Sequence, residues 1–308
     1  MPLATRPPRP HRQPPPAPFV VGVPRSGTTL LRLMLDAHPR LTIPPETHFL
    51  PELLRACKAG DANPERVMEV ITATKRWHDF QLEPSSLLRR LPADRPVKGR
   101  EAARAFYSAY AESVAKPRWG DKTPVYLKNM LTIQKALPEA RFIHIIRDGR
   151  DVALSVLGLL FGPDSVDEAA RRWRRKVLRA REQASRLCHY RELRYEDLVA
   201  DPEPTLRSVC DYIELRWDPA MLEYHRHAAE RMAVIARQRE RQGLEPIPTG
   251  YGPRIHALTS EPPKGERVGR WRAEMAPPDR AAYERRAGDL LAELGYEVES
   301  RRGARGLS

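Results

Sequence analysis

Residues 19–35 constrain this chain more than any other stretch. Phe19-Val20-Val21-Gly22-Val23 is a short apolar run rich in valine, the pattern of a buried strand. It runs directly into Pro24-Arg25-Ser26-Gly27-Thr28-Thr29, and then into Leu30-Leu31-Arg32-Leu33-Met34-Leu35, which predicts a helix. The first N–H groups of a helix have no intrahelical acceptor, and a glycine before them lets the backbone approach an oxyanion closely. Thr28 and Thr29 add hydroxyl donors, and Arg25 adds a planar cationic fork. The same letters would suit a turn glycine beside a surface arginine, but the strand-turn-helix context favours an anion site. Thr28 follows Gly27 where a Walker A loop has its lysine, so a triphosphate with magnesium fits poorly.

The remaining chain alternates in the same way. Arg141-Phe142-Ile143-His144-Ile145-Ile146 predicts a second strand, ending at Arg147-Asp148-Gly149-Arg150, with a helix from about Asp151. Asn63-Pro64 opens a helix to about Thr74, with proline at its first position, and Glu101 to Ala115 also reads as helical. Ser165 with Glu168 looks like a capping box. The helix it opens carries an apolar stripe through Ala169, Ala170, Trp173 and Val177, and arginines on its other face. A third strand is expected at Glu192-Leu193-Arg194-Tyr195, and helices near Pro204–Tyr212 and Asp279–Leu294. Residues 231–264 are polar and proline-containing, a loop or a lid. The pattern predicts an α/β fold: a P-loop-like, three-layer α/β/α arrangement with a mostly parallel central sheet and helices on both faces. With 308 residues and 41% hydrophobic content, one domain over 19–300 is expected, between a disordered Pro/Arg-rich leader at 1–18 and a disordered tail at 301–308.

The formal charge of +13 suits an anionic partner as well as a plain solvated basic surface, and does not choose between them. The three cysteines fit neither a disulfide framework nor a metal site, and no acidic cluster has metal spacing, so no metal is expected. No apolar stretch approaches the roughly 20 residues of a membrane span, and residues 1–18 lack the apolar region of a signal peptide. These features predict a soluble cytoplasmic protein.

Val23-Pro24-Arg25-Ser26-Gly27-Thr28-Thr29 resembles the 5′-phosphosulfate loop of sulfotransferases that use 3′-phosphoadenosine 5′-phosphosulfate (PAPS). The continuation through Asp36-Ala37-His38-Pro39 to Glu46-Thr47 is most similar to the tyrosylprotein sulfotransferase branch and its bacterial relatives. Arg147-Asp148-Gly149-Arg150-Asp151-Val152-Ala153-Leu154-Ser155 resembles the family's 3′-phosphate motif, which implies that Arg147 and Ser155 clamp that phosphate. Arg194-Tyr195-Glu196-Asp197-Leu198 resembles the segment whose tyrosine lies near the adenine, here Tyr195. Lys264-Gly265-Glu266-Arg267-Val268-Gly269-Arg270-Trp271 resembles the loop that folds over the nucleotide, with Lys264 and Gly265 as contacts. The blocks occur in family order from residue 19 to about 272.

The resemblance implies a PAPS-dependent enzyme that moves a sulfonate onto a hydroxyl or amine by in-line displacement. Arg25, Ser26, Gly27, Thr28 and Thr29 would hold the 5′ side. Glu46 would act as the base, and Lys122, in Gly120-Asp121-Lys122-Thr123-Pro124, would reach the bridging oxygen, with Arg25 as a third catalytic group. Pro124 stands where the cytosolic small-molecule enzymes carry a catalytic histidine, and Gly269 or a neighbour where the tyrosylprotein branch has a serine. No counterpart of that branch's Golgi anchor or luminal cysteines is recognisable. The acceptor therefore stays open among a small molecule, a carbohydrate, a lipid and a peptide. The reading expects no nucleic acid and leaves room for a homodimer. Two alternatives remain: a P-loop-like nucleotide kinase or phosphotransferase, and a non-catalytic protein that binds polyanions or nucleotides.

Overall fold

The computed structural model describes residues 14–58, 60, 62–159, 162–226, 240, 262 and 265–299. Lys264, almost all of the 231–264 segment and the 301–308 tail lie outside them. The strands are β1 (Ala17–Gly22), β2 (Leu41–Thr42), β3 (Arg118–Trp119), β4 (Asp121–Lys122), β5 (Ala140–Ile146) and β6 (Tyr190–Arg194). The helices are α1 (Thr28–Asp36), α2 (Leu50–Ala56), α3 (Pro64–Thr72), α4 (Pro84–Leu88), α5 (Gly99–Ser113), α6 (Met130–Ala136), α7 (Gly149–Val156), α8 (Val166–Ala184), α9 (Tyr195–Ala200), α10 (Pro202–Tyr212), α11 (Trp271–Glu274) and α12 (Pro277–Glu293).

The central sheet has the order β4-β1-β5-β6, and every pairing in it is parallel. Buried parallel strands are apolar on both faces, and alternate side chains feed opposite layers. Phe19, Val21 and Phe142 pack into a core with α2, α3, α5 and α6. Val20, Ile143 and Ile145 point the other way, into a core with α1, α9 and α10. At the strand ends, Val23, just past β1, and Ile146, the last residue of β5, join a third core with α7, α8, α11 and α12. The expected α/β/α layering is what the chain adopts.

Several boundaries move. β1 starts at Ala17, so the predicted leader ends too late: Ala17 and Pro18 pair with Ala140 and Arg141, and the Pro16 carbonyl accepts from Arg118 at 2.5 Å. The third strand is β6, and Tyr195 begins α9 instead of ending the strand. The predicted cap of α3 is present, with Asn63 accepting from the Arg66 N–H at 2.9 Å. At α8 only half of the capping box forms: Ser165 Oγ accepts from Glu168 N–H, while Glu168 accepts from Asp164 instead of from Ser165.

This order fixes where a ligand belongs. β1 has β4 on one side and β5 on the other, so the chain leaves its carboxyl end in one direction and returns on the opposite side. Ligands of open parallel sheets bind in the crevice beyond such a switch point.

Candidate active site

A cleft of about 700 Å³ lies at that point. Its floor is the β1–α1 turn. Arg25 and Gly27 both have positive φ, 77° and 95°, which aims successive backbone groups toward one side. Gly27 is required twice over: its φ suits glycine, and a Cβ there would lie 2.2 Å from Tyr195 Cδ2. No side chain caps α1, so its first N–H groups face the cleft. Arg25, Gly27, Thr28 and Thr29 line it. Ser26 does not; its side chain is sealed, and its hydroxyl has no hydrogen-bond partner among the described residues.

β5 and α7 build one wall. Arg147 leaves the end of β5 and donates to the Arg25 carbonyl at 3.3 Å and to that of Arg267. Its guanidinium lies 4.7 Å from the Tyr195 ring centroid, and its Nε has no partner among the described residues. Ser155, two helical turns on, lines the same wall and donates to the Asp151 carbonyl at 2.8 Å. Tyr195 closes the side, with burial pushing its hydroxyl up. The C-terminal segment supplies Glu266, Arg267 and Arg270 to the rim. Gly265 opens that turn but is exposed and outside the lining.

Asp151 was not singled out from sequence, yet it fixes this rim. Its carboxylate accepts from the Gly269 N–H at 2.8 Å and the Trp271 N–H at 2.9 Å. It thus joins α7 to the start of α11. Burial raises its pKa, against the pull of those N–H groups and of Arg147. Its place in the motif Arg147–Ser155 is the only signal the sequence held.

The opposite wall carries Glu46, brought in by the loop after β2. Arg32 on α1 donates to the Ile43 carbonyl at 3.0 and 3.1 Å and ties down that loop. Lys122, on β4, sits 2.5 Å from Glu46 Oε1, and both side chains are buried. Burial pushes the Glu46 carboxyl up, but the Lys122 charge and hydrogen bonds from His48 and Lys122 more than offset it, so it stays a carboxylate well below the usual range. Burial lowers the Lys122 pKa, and the Glu46 carboxylate offsets part of that drop. Beneath the pair, Asp121 accepts from Thr47 Oγ1 at 2.8 Å and Tyr107 OH at 2.9 Å, and Thr47 also bonds Tyr126 at 2.8 Å. Burial pushes Asp121 up to about 6.

His48 is a second cleft residue that sequence reasoning missed. Its Nε2 lies 3.0 Å from Glu46 Oε2, its side chain is 42% exposed, and it lines the cleft. Pro124 and Val125 lie beside it on the lining.

The cleft therefore joins Arg25, Gly27, Thr28, Thr29, Arg147, Ser155, Tyr195, Glu46 and, through Glu46, Lys122. Cationic forks, helix N–H groups and hydroxyls make a donor set suited to phosphate and sulfonate oxygens. The Arg147 Nε, buried at the wall and without a partner among the described residues, fits an anion there.

A family model described as the sulfotransferase family matches residues 16–219, and the chain belongs to that family. Among curated proteins it is 28% identical to a Drosophila melanogaster protein-tyrosine sulfotransferase over 67% of this chain and 39% of that one. It is 30% identical to a putative protein-tyrosine sulfotransferase of Caenorhabditis briggsae, over 67% of this chain and 68% of that one. The chain thus spans well under two thirds of the fly relative. Among solved structures, the sulfotransferase domain of the Synechococcus PCC 7002 olefin synthase shares the fold, at 22% identity and TM-score 0.65, over 94% of this chain and 98% of that domain.

These relatives correct the predicted compartment. The curated matches are animal protein-tyrosine sulfotransferases, the branch whose Golgi anchor the sequence reading set aside. Few cysteines and the lack of a membrane-length helix among the described residues limit disulfides and spans, not location. The cytoplasmic expectation is withdrawn.

Proposed function

We infer that this chain transfers a sulfonate from PAPS to a hydroxyl acceptor. The observation that carries the reading is the convergence, at one switch-point cleft, of the Arg25–Thr29 turn, the Arg147–Ser155 wall and the Glu46–Lys122 pair. PAPS supplies an activated sulfonate on a phosphate leaving group. The Arg25 turn would hold its 5′ phosphosulfate, Arg147 and Ser155 its 3′-phosphate, and Tyr195 its base. Lys122 would compensate the charge that develops on the leaving phosphate, and the Glu46 side of the cleft would receive the acceptor and its proton. A phenolic hydroxyl, as on a protein tyrosine, is the acceptor the curated relatives favour.

The kinase alternative is not favoured by the family match, and the Gly27-Thr28 junction lacks its lysine. The polyanion alternative loses support at α8, whose arginines are largely committed: Arg171 to Asp167, Arg172 to Glu168, Arg174 to Asp289, and Arg181 to Glu192 and Glu293. The test is calorimetric titration with 3′-phosphoadenosine 5′-phosphate, with AMP, and with ATP plus magnesium. Preference for the bisphosphate is expected. Preference for ATP with magnesium would return the kinase to favour.

A further inference from the structure

The Glu46 carboxylate is a poor place for a proton in this arrangement. Both of its oxygens are engaged, Oε1 by Lys122 at 2.5 Å and Oε2 by His48 at 3.0 Å. Its side chain is only 8% exposed, while that of His48 is 42% exposed on the same cleft. His48 also holds φ at 56°, a left-handed conformation that a non-glycine residue adopts at some cost. That conformation sets its ring against the carboxylate. A carboxylate behind an imidazole fixes the ring and supports the imidazolium that forms when it takes a proton.

We propose that His48 is the group that takes the acceptor's proton, and that Glu46 is its orienting partner. The assignment rests on the sulfotransferase reading above. The low basicity of Glu46, held down by Lys122 and His48, points the same way. In the step, a lone pair of the acceptor oxygen attacks sulfur and forms the new O–S bond, and the O–H electron pair stays on that oxygen as its proton departs. The proton passes to a His48 ring nitrogen. The bond from sulfur to the bridging phosphate oxygen breaks, its electron pair leaves on that phosphate, and the Lys122 ammonium offsets the charge. The imidazolium then releases its proton to water on its exposed side. The charged groups that share the cleft with His48 are Glu46, Arg25, Arg147, Glu266, Arg267 and Arg270.

The test uses the full chain with PAPS and two probe acceptors, 2-naphthol and a tyrosine-containing acidic peptide. His48→Gln is expected to lower kcat about 10²–10⁴-fold, the range for a lost general base. Binding of 3′-phosphoadenosine 5′-phosphate should stay unchanged. In His48→Ala, added imidazole should restore part of kcat, and the acid limb of the wild-type pH–rate profile should disappear in both variants. Glu46→Gln should slow transfer with no imidazole rescue. A His48→Gln enzyme with wild-type kcat and pH profile overturns the proposal, as does a slow His48→Ala enzyme that imidazole does not rescue. Wild-type protein that binds no bisphosphate and transfers to neither probe defeats the sulfotransferase reading itself, and with it this assignment.

Discussion

Two buried charge clusters lie near each other and behave as opposites. In the cleft, Lys122 meets Glu46 through one short contact, and the remaining Glu46 oxygen faces the half-exposed His48. Behind α7, Arg150 is fully buried. It donates to both Asp148 oxygens at 3.0 and 2.8 Å, to Glu284 at 2.7 Å and to the Glu297 carbonyl at 2.7 Å, with Trp271 3.4 Å from its guanidinium. A fully buried fork with four of its five donors committed is closed off from a ligand, and it braces α7 against α12. Arg147, three residues earlier, keeps a buried Nε with no partner among the described residues and lines the cleft. Spare donors beside open space, not charge or burial, separate a binding arginine from a bracing one.

The largest effects should separate the two clusters. Lys122→Ala is expected to cut kcat about 10²–10⁴-fold in a PAPS assay, while melting shifts less than in the Arg150 variant because Glu46 alone is stranded and keeps His48 as a partner. If Lys122→Ala melts as early as Arg150→Ala, the contrast dissolves. Arg150→Ala should lose about 3–5 kcal/mol in denaturant unfolding, since it strands Asp148 and Glu284 without their cation. The protein that stays folded should keep its preference for the bisphosphate.

A smaller loss is expected at Arg147. Arg147→Ala should weaken 3′-phosphoadenosine 5′-phosphate by about 1.5–3 kcal/mol, the value of a hydrogen bond to a charged group, and AMP far less. Equal losses would place the 3′-phosphate elsewhere. Asp121 sharpens the comparison through pH. Its folded pKa is raised to about 6, so the folded state holds a proton that the unfolded chain has released. That contribution is present at pH 4 and lost as pH rises through 6. Asp121→Asn should therefore gain on wild type in thermal melts taken at pH 7.5 relative to pH 4.5; an equal gap at both pH values would rule the carboxyl out as the proton holder. The smallest effect should come from Arg174→Ala, whose exposed pair with Asp289 is worth about 0.2–1 kcal/mol.

What the sequence showed and hid follows from these same contacts. β1, the Arg25–Thr29 turn, α1 and the end of β5 were legible because apolar runs and a glycine junction encode them locally. β4 was not, because two residues, Asp121 and Lys122, carry no period. Lys122 was found only through a motif, and its partner Glu46 lies 76 positions away in the chain. His48 gave no signal: its left-handed backbone and its contact with Glu46 arise from the fold. Arg150 and Arg267 both stand in motif-like stretches, and nothing in the sequence separates their roles. Packing against Trp271 removes the first from the cleft, while the second stands on its rim.

The placement of β1 also bears on how the chain is made. β1 precedes the other described strands in the chain and, like β5, has neighbours on both sides, yet Val20 pairs with Lys122 and Ile143, and Gly22 with Ile145. At about 5–20 residues per second, a nascent chain would hold this apolar strand unpaired for roughly 5–25 seconds. The pairing of β1 closes a long loop, and such non-local contacts slow refolding. A chain built this way leaves an apolar strand exposed during its own synthesis for longer than a protein whose first elements pair with their immediate successors.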